Sequence, residues 1–222
     1  MIPITFELEL PDLLLGIVES RTVPMGPADA ALDAEILAAL AAMKSSTPET
    51  ETDPVKTAVR DLLRVGGYKP AGRGKPASEY LAQSAQRGDF PRISHIVDAL
   101  NLVSLESRLP ISLLDANRVM DGTDALVIRF GRPGESFVFN SAGHEINIEG
   151  LVSVARRNGP ALGNPVKDSM TAKTTDTTPH TIAFIWGTRR ALDQAAMQQI
   201  CQRLGNLLRG SQTETRVIEK GV

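Results

Sequence analysis

Apolar and polar residues alternate from the start of the chain, and the alternation predicts two strands, residues 4–10 and 13–23, with Pro11 and Asp12 as the turn between them. The period then lengthens. An alanine-rich run opened by Pro27 predicts a helix over residues 27–43 that packs one side against a sheet. Residues 44–53 are polar and aperiodic and read as a loop open to proteolytic nicking. Asp53 and Pro54 supply the cap and first-turn proline of a second helix, with Ala58, Leu62, Leu63 and Val65 on its apolar side and Gly66-Gly67 as its stop. A short helix over 77–86 ends at Gly88. Residues 93–105 read as a helix that is apolar nearly all round, which implies burial.

Beyond Pro110 the period falls to two. Strands are expected at 111–114, 125–130, 136–140, 151–155 and 181–186, with the turn from Gly131 to Gly134 joining two of them in a hairpin. A long helix over 189–209, capped by Thr188 and stopped by Gly210, closes the pattern, and residues 215–219 add an edge strand. Helices ahead of strands imply an α+β fold rather than a doubly wound parallel sheet. No glycine-rich phosphate loop follows a strand, so a dinucleotide-binding unit is not expected. At 222 residues the chain suits one domain, residues 1–222.

Composition narrows the function classes. Hydrophobic residues at 42% and charged residues at 23% are ordinary for a globular chain, large enough to bury a core without staples. The N-terminus lacks a basic signal-peptide region and no apolar run reaches the ~18 residues of a membrane span, so the expected location is the cytoplasm, with no membrane partner. A net charge of −2 with scattered cations leaves room only for local nucleic-acid contact. The best such group is the glycine- and proline-broken loop carrying Lys69, Arg73 and Lys75. Cys201 lies at helical spacing beside Ile200 and Leu204 and reads as a core residue. His95, His144 and His180 show no ligand spacing, so neither a metal nor another cofactor is expected.

Chemistry concentrates in residues 98–115. Asp98, Asn101 and Ser104 recur every three residues among Ile96, Val97, Leu100, Leu102, Val103 and Leu105, a polar stripe in an apolar helix. Such a stripe either ties the helix to neighbouring loops or floors a pocket. Ser112 follows with no base beside it in sequence, which does not suit a nucleophile. Farther on, the loop from Asn164 to Ser169 places a cation, a carboxylate and a hydroxyl in consecutive positions at Lys167, Asp168 and Ser169, readable as a solvated loop or as part of a pocket. Tyr80 and Trp186 read as core aromatics.

The run holding Val97-Asp98, Asn101, Leu105-Glu106, Pro110 and Asp115 resembles the signature of the tRNA-binding and editing domain of the bacterial phenylalanyl-tRNA synthetase β subunit. The similarity continues through Arg129, Gly134-Glu135 and Gly143 into the threonine-rich stretch from Thr174 to Thr178. Upstream, Gly72 to Pro76 and Ser78 to Leu81 are similar to free-standing relatives, so an editing-domain-like core is expected over about 69–186. The resemblance implies a layered β/β/α fold, tRNA as a partner, and hydrolysis of a mischarged aminoacyl-tRNA in trans. The residues themselves offer Asp98, Asn101, Ser104, Ser112, Asn164, Lys167 and Asp168 as substrate-binding candidates. The chain departs from the family where the synthetase domain has a pocket histidine, here Ser112, and where it has a glutamate that reads the tyrosine hydroxyl, for which residues 182–186 offer no carboxylate. Without that acceptor, selection of a phenolic hydroxyl is not expected. A non-catalytic RNA-binding module and a small-molecule, amino-acid-like binder remain open on the same scaffold.

Overall fold

The computed structural model describes residues 1–45 and 53–219, and the polar loop expected over 44–53 lies almost wholly outside the described residues. Among the described residues the strands form two four-stranded sheets and a ribbon. The first sheet joins β1 (Ile4–Phe6), β4 (Leu126–Phe130), β7 (Val152–Arg156) and β8 (Ala161–Gly163) in that order, with β1 parallel to β4 and the other pairs antiparallel. The second runs β10 (Gln212–Glu219), β2 (Leu13–Arg21), β9 (His180–Thr188), β3 (Ile111–Asp115), antiparallel throughout. The ribbon pairs β5 (Ser136–Val138) with β6 (Glu145–Asn147). Six helices complete an α+β architecture: α1 (Ala30–Ser45), α2 (Pro54–Arg64), α3 (Ala77–Arg87), α4 (His95–Ser107), α5 (Ala116–Val119) and α6 (Gln194–Leu208).

The second sheet sits in the middle. One face carries α6 against β2 and β10, with α4 packed on α6 and on β3. Gly16 marks how close this packing is: a Cβ there would lie 2.6 Å from Cys201 Sγ and 2.7 Å from Met197 Sδ. The register puts Ser112, Phe184 and Trp186 on the opposite face, where β8 of the first sheet crosses; a Cβ on Gly163 would come within 3.4 Å of Ser112 Oγ. β2 is buried along all but its last residue, in keeping with Leu13, Leu14, Leu15, Ile17 and Val18 in its first two-thirds, while Glu19 and Ser20 are buried polar residues. The layers are therefore sheet, sheet, helices.

Local signals placed the helices well. Asp53 accepts hydrogen bonds from the Val55 and Lys56 amides and Gly88 ends α3 in the left-handed conformation. The turn expected at Pro11 and Asp12 is present, and it hands the chain from β1 in the first sheet to β2 inside the second. Pairing differs from the sequence expectation at the turn over 131–134, which joins no hairpin but leads from the first sheet to the ribbon, since β4 pairs with β7 and β5 with β6. The last helix starts at Gln194 rather than 189: Thr188 is the final residue of β9, and Asp193 caps α6 by accepting from the Ala196 amide. The expected edge strand extends back to Gln212. Three short elements, α5, β6 and β8, were not expected from periodicity; at three or four residues they are too short to show one. No helix among the described residues is long and apolar enough to cross a membrane.

Candidate functional site

A cavity of about 450 Å³ opens between α3, α4, β3 and the loop that follows β8. That size lies within the range of roughly 300–1,000 Å³ usual for small-ligand sites. Its apolar lining comes from Val97 and Leu100 of α4, Ile111 and Leu113 of β3, and Val166. Its polar lining comes from Asn101, Ser104, Asn164, Lys167, Asp168 and Lys173, with the ring of Tyr80 to one side.

The 164–168 loop is built by its own sequence. The Asn164 side-chain oxygen accepts from the Val166 and Lys167 amides, both at 2.9 Å, an Asx-type turn that Pro165 suits. The Asn164 amide in turn donates to the Lys167 carbonyl, and an antiparallel bridge sets Gly163 opposite Asp168. Ser112 holds this loop from behind. Fully buried, its hydroxyl donates to the Asn164 carbonyl at 3.0 Å and accepts from Trp186 Nε1 at 3.1 Å. The serine is thus a structural pin between the two sheets, with its hydrogen committed to a carbonyl.

Two polar atoms of the loop have no hydrogen-bonding partner and are sealed from solvent, the Asn164 side-chain nitrogen and Asp168 Oδ1. Asp168 Oδ2 accepts from the Leu113 amide, at 3.2 Å, and the carboxyl lies beside the Ser112 hydroxyl. Burial pushes the Asp168 carboxyl up to about 6, against the opposing pull of the Ser112 hydroxyl, the Leu113 amide and the charges of Lys173 and Lys167. Lys167 sits with Nζ 4.9 Å from the centre of the Tyr80 ring and 5.4 Å from that of Phe139. Burial lowers its pKa, helped by the like charge of Lys173 and opposed by Asp168. Lys173 Nζ donates to the Phe139 carbonyl at 2.6 Å.

The stripe on α4 divides. Asn101 and Ser104 line the cavity, although Ser104 donates to the Leu109 carbonyl at 2.7 Å and so also ties α4 to the turn before β3. Asp98 is not on the cavity wall. Its carboxylate accepts from the Ile93 amide at 2.7 Å and from Arg92 Nε at 3.0 Å, closing the start of the helix. The reason is helical geometry: a step of three residues turns the position by about 60° from alignment, so two steps separate Asp98 from Ser104 by about 120°.

Other residues carrying the resemblance act as scaffold. Asp115 caps α5 and accepts from the Thr178 hydroxyl at 2.7 Å, tying β3 to the threonine-rich stretch. Arg129 and Glu135 form a two-pronged pair at 2.7 and 2.8 Å. Burial would raise the Glu135 carboxyl, but Arg129 and the Arg132 and Ala161 amides bring it down to about 2. His95 meets the Leu207 carbonyl, His144 meets Asn140 in its turn, and His180 meets Glu19. Burial pushes the Cys201 thiol up to about 12, which makes it inert. Among the described residues, no three His, Cys, Asp or Glu are grouped to hold a metal.

Tyr80 and Lys173 belong to the cavity and were missed as site residues. Tyr80 read as core; the available signal is that Ala77, Tyr80 and Leu81 share one face of the helix following the basic loop. Lys173 lies on a turn after the loop and no local pattern marks it. The Tyr80 hydroxyl donates to the Gly72 carbonyl at 2.6 Å, fixing the basic loop beside the cavity. Lys69 and Arg73 on that loop are exposed and Lys75 is half-buried.

No curated protein matches the chain. The B3/4 domain matches residues 71–207, a span that holds every residue lining the cavity, the whole of β3 and β9, and all of α6 but its last residue. The chain, more than half of it within that match, belongs to the B3/4 domain family, the domain found in the phenylalanyl-tRNA synthetase β subunit.

Proposed function

We propose that the protein is a tRNA-linked homologue of the editing domain that takes the aminoacyl end of a tRNA into the cavity between α3, α4 and β3 and hydrolyses the ester in trans, in the cytoplasm. The observation that supports this reading most is a cavity of about 450 Å³ on a tRNA-synthetase-related scaffold, with an apolar floor and with an unpartnered donor and acceptor in its 164–168 loop. A site of this kind is suited to a small group bearing both an apolar side chain and polar atoms. Lys69, Arg73 and Lys75, held beside the cavity through Tyr80 and Gly72, would meet tRNA phosphates. With a net charge of −2 the contact would be local and strongly weakened by salt. Neither Ser104 nor Ser112 serves as a nucleophile, because both donate to backbone carbonyls, so the attacking group in this reading is water.

The test is a deacylation assay across a panel of mischarged tRNAs, with retention of each tRNA measured at low salt. Turnover of at least one misacylated tRNA supports the reading. No turnover on any, together with no retention, overturns it. Retention without turnover leaves an RNA-binding module. A second reading, a binder of free amino acids or their derivatives, is favoured by one feature: Lys167 and Lys173 share the cavity wall and complement a carboxylate, which an aminoacyl ester lacks.

A further inference from the structure

Resting on the cavity as the ligand site of the proposed function, we infer that Lys167 determines its specificity: the site takes a small molecule whose carboxylate pairs with the Lys167 ammonium and whose second polar group meets the Asn101 side chain. Lys167 lines the cavity, and its Nζ lies over the ring of Tyr80, which lines it too. Among the described residues Nζ has no hydrogen bond and no ion pair, and it is not one of the atoms sealed from solvent. The Tyr80 and Phe139 rings attract its charge without neutralising it. Lys173, on the same wall, differs in donating to the Phe139 carbonyl at 2.6 Å. Asp168 attracts Lys167 but makes no ion pair with it, since one of its oxygens is sealed from solvent and the other accepts from the Leu113 amide. A half-buried ammonium with no counter-ion is costly, and an anionic group of the ligand compensates it. One free ammonium beside an apolar lining suits a singly charged carboxylate; a phosphate calls for more donors than this wall offers.

Asn101, on α4, supplies the second contact. It is only 6% exposed, yet its side-chain amide makes no hydrogen bond among the described residues and neither polar atom is sealed from solvent. The surface it keeps therefore opens into the cavity it lines. An amide in that position both donates and accepts. Leu100, Ile111 and Leu113 give the apolar surface for the hydrocarbon part of the ligand. Ile93, also of the lining, is 66% exposed, so the cavity meets solvent on that side. The carboxylate has two sources: the α-carboxylate of a free amino acid, or the acidic side chain of an aspartyl or glutamyl ester.

The experiment uses the full chain and small probes that need no tRNA. Binding of leucine, leucinamide, glutamine, isoglutamine, glutaminamide and inorganic phosphate is measured by calorimetry or by nuclear magnetic resonance titration. Glutamine carries its carboxylate on the α-carbon, isoglutamine on the side chain, and glutaminamide has none. The expected result is that at least one acid binds on the order of tenfold or more tighter than its amide. In Lys167→Met that preference disappears, with the native thermal transition confirming that the variant is folded. Tight leucine and glutamine assign the α-carboxylate and fit the free amino acid; tight isoglutamine alone assigns the side chain and fits an acidic aminoacyl ester. Equal binding of acids and amides, an undiminished preference in Lys167→Met, tighter binding of phosphate than of any acid, or no binding of any probe by folded wild-type protein would each overturn the inference. Failure here is separable from failure of the reading it rests on. Acids and amides bound alike keep the cavity as a ligand site and remove the Lys167 contact; no probe bound, with no mischarged tRNA turned over or retained, removes both.

Discussion

Replacing Asp168 by asparagine keeps the shape of the side chain and removes its titration. The carboxyl is raised from 3.8 to about 6 in the folded protein, chiefly by burial. Between those two values the folded state binds more protons than the unfolded state, so stability falls as pH rises through the window, and the loss is complete above about pH 7. A gap of about two pKa units corresponds to roughly 3 kcal/mol at 1.36 kcal/mol per unit, as an order of magnitude. Asparagine escapes that loss. Its side-chain oxygen still accepts from the Leu113 amide, and its nitrogen falls beside the Ser112 hydroxyl, which lies close to Asp168. Asp168→Asn is therefore expected to be more stable than wild type by about 2–3 kcal/mol at pH 8 and by little at pH 4. Urea unfolding followed by the fluorescence of the single tryptophan, Trp186, at half-unit steps between pH 4 and 8 gives the difference directly. Other titrating groups are shared by both proteins and cancel in that difference. Parallel pH curves, or a variant less stable than wild type at pH 8, would refute the argument that burial strains this carboxyl.

Three further outcomes are expected. Glu135→Gln removes one partner of a buried pair with Arg129 and should cost about 3 kcal/mol at neutral pH. Because the Glu135 pKa is lowered to about 2, that contribution is full above pH 4.5 and is lost as pH falls toward 2, which acid titration of both proteins by circular dichroism would follow. Gly16→Ala puts a Cβ 2.6 Å from Cys201 Sγ and 2.7 Å from Met197 Sδ, so those side chains or α6 itself must give way; a loss of roughly 1–3 kcal/mol in denaturant unfolding is the expected result, and an unchanged midpoint would contradict the close packing of α6 on β2. Ser112→Ala strips the Trp186 ring nitrogen of its acceptor and the Asn164 carbonyl of its donor. It should destabilise the protein by about 1–3 kcal/mol and alter Trp186 emission, while leaving the cavity lining in place; collapse of the site without any emission change would argue against the pin.

How much of this was legible in the residues varies with the range of the interaction involved. Caps and stops act within one turn of chain, so Asp53-Pro54, Gly88 and the apolar spacing of α4 placed their helices closely from local sequence. The motif through residues 98–115 pointed to the family, and the α+β class followed from helices preceding strands. Choice of partner strand is a different kind of information. Pro11-Asp12 and Gly131 to Gly134 are sound turns, yet the strands they link enter different sheets, because pairing is decided by which faces are buried over a hundred residues away.

The same division holds for the site. Sequence alone singled out Asn101, Ser104, Asn164, Lys167 and Asp168, residues about sixty positions apart in two groups; only the crossing of β8 under β3 and the packing of α4 put them round one cavity. Rotation along α4 turned Asp98 out of that wall, and the register of β3 turned Ser112 to its far side, toward Trp186. What the residues determined by themselves was local: where helices begin and end, which positions are apolar, and to which family the central motif belongs. What the tertiary structure decided was which polar atoms find partners. Hydrogen-bond satisfaction in a core is a sum over neighbours distant in sequence, and Asp168 and Asn164 stand out because that sum leaves them short.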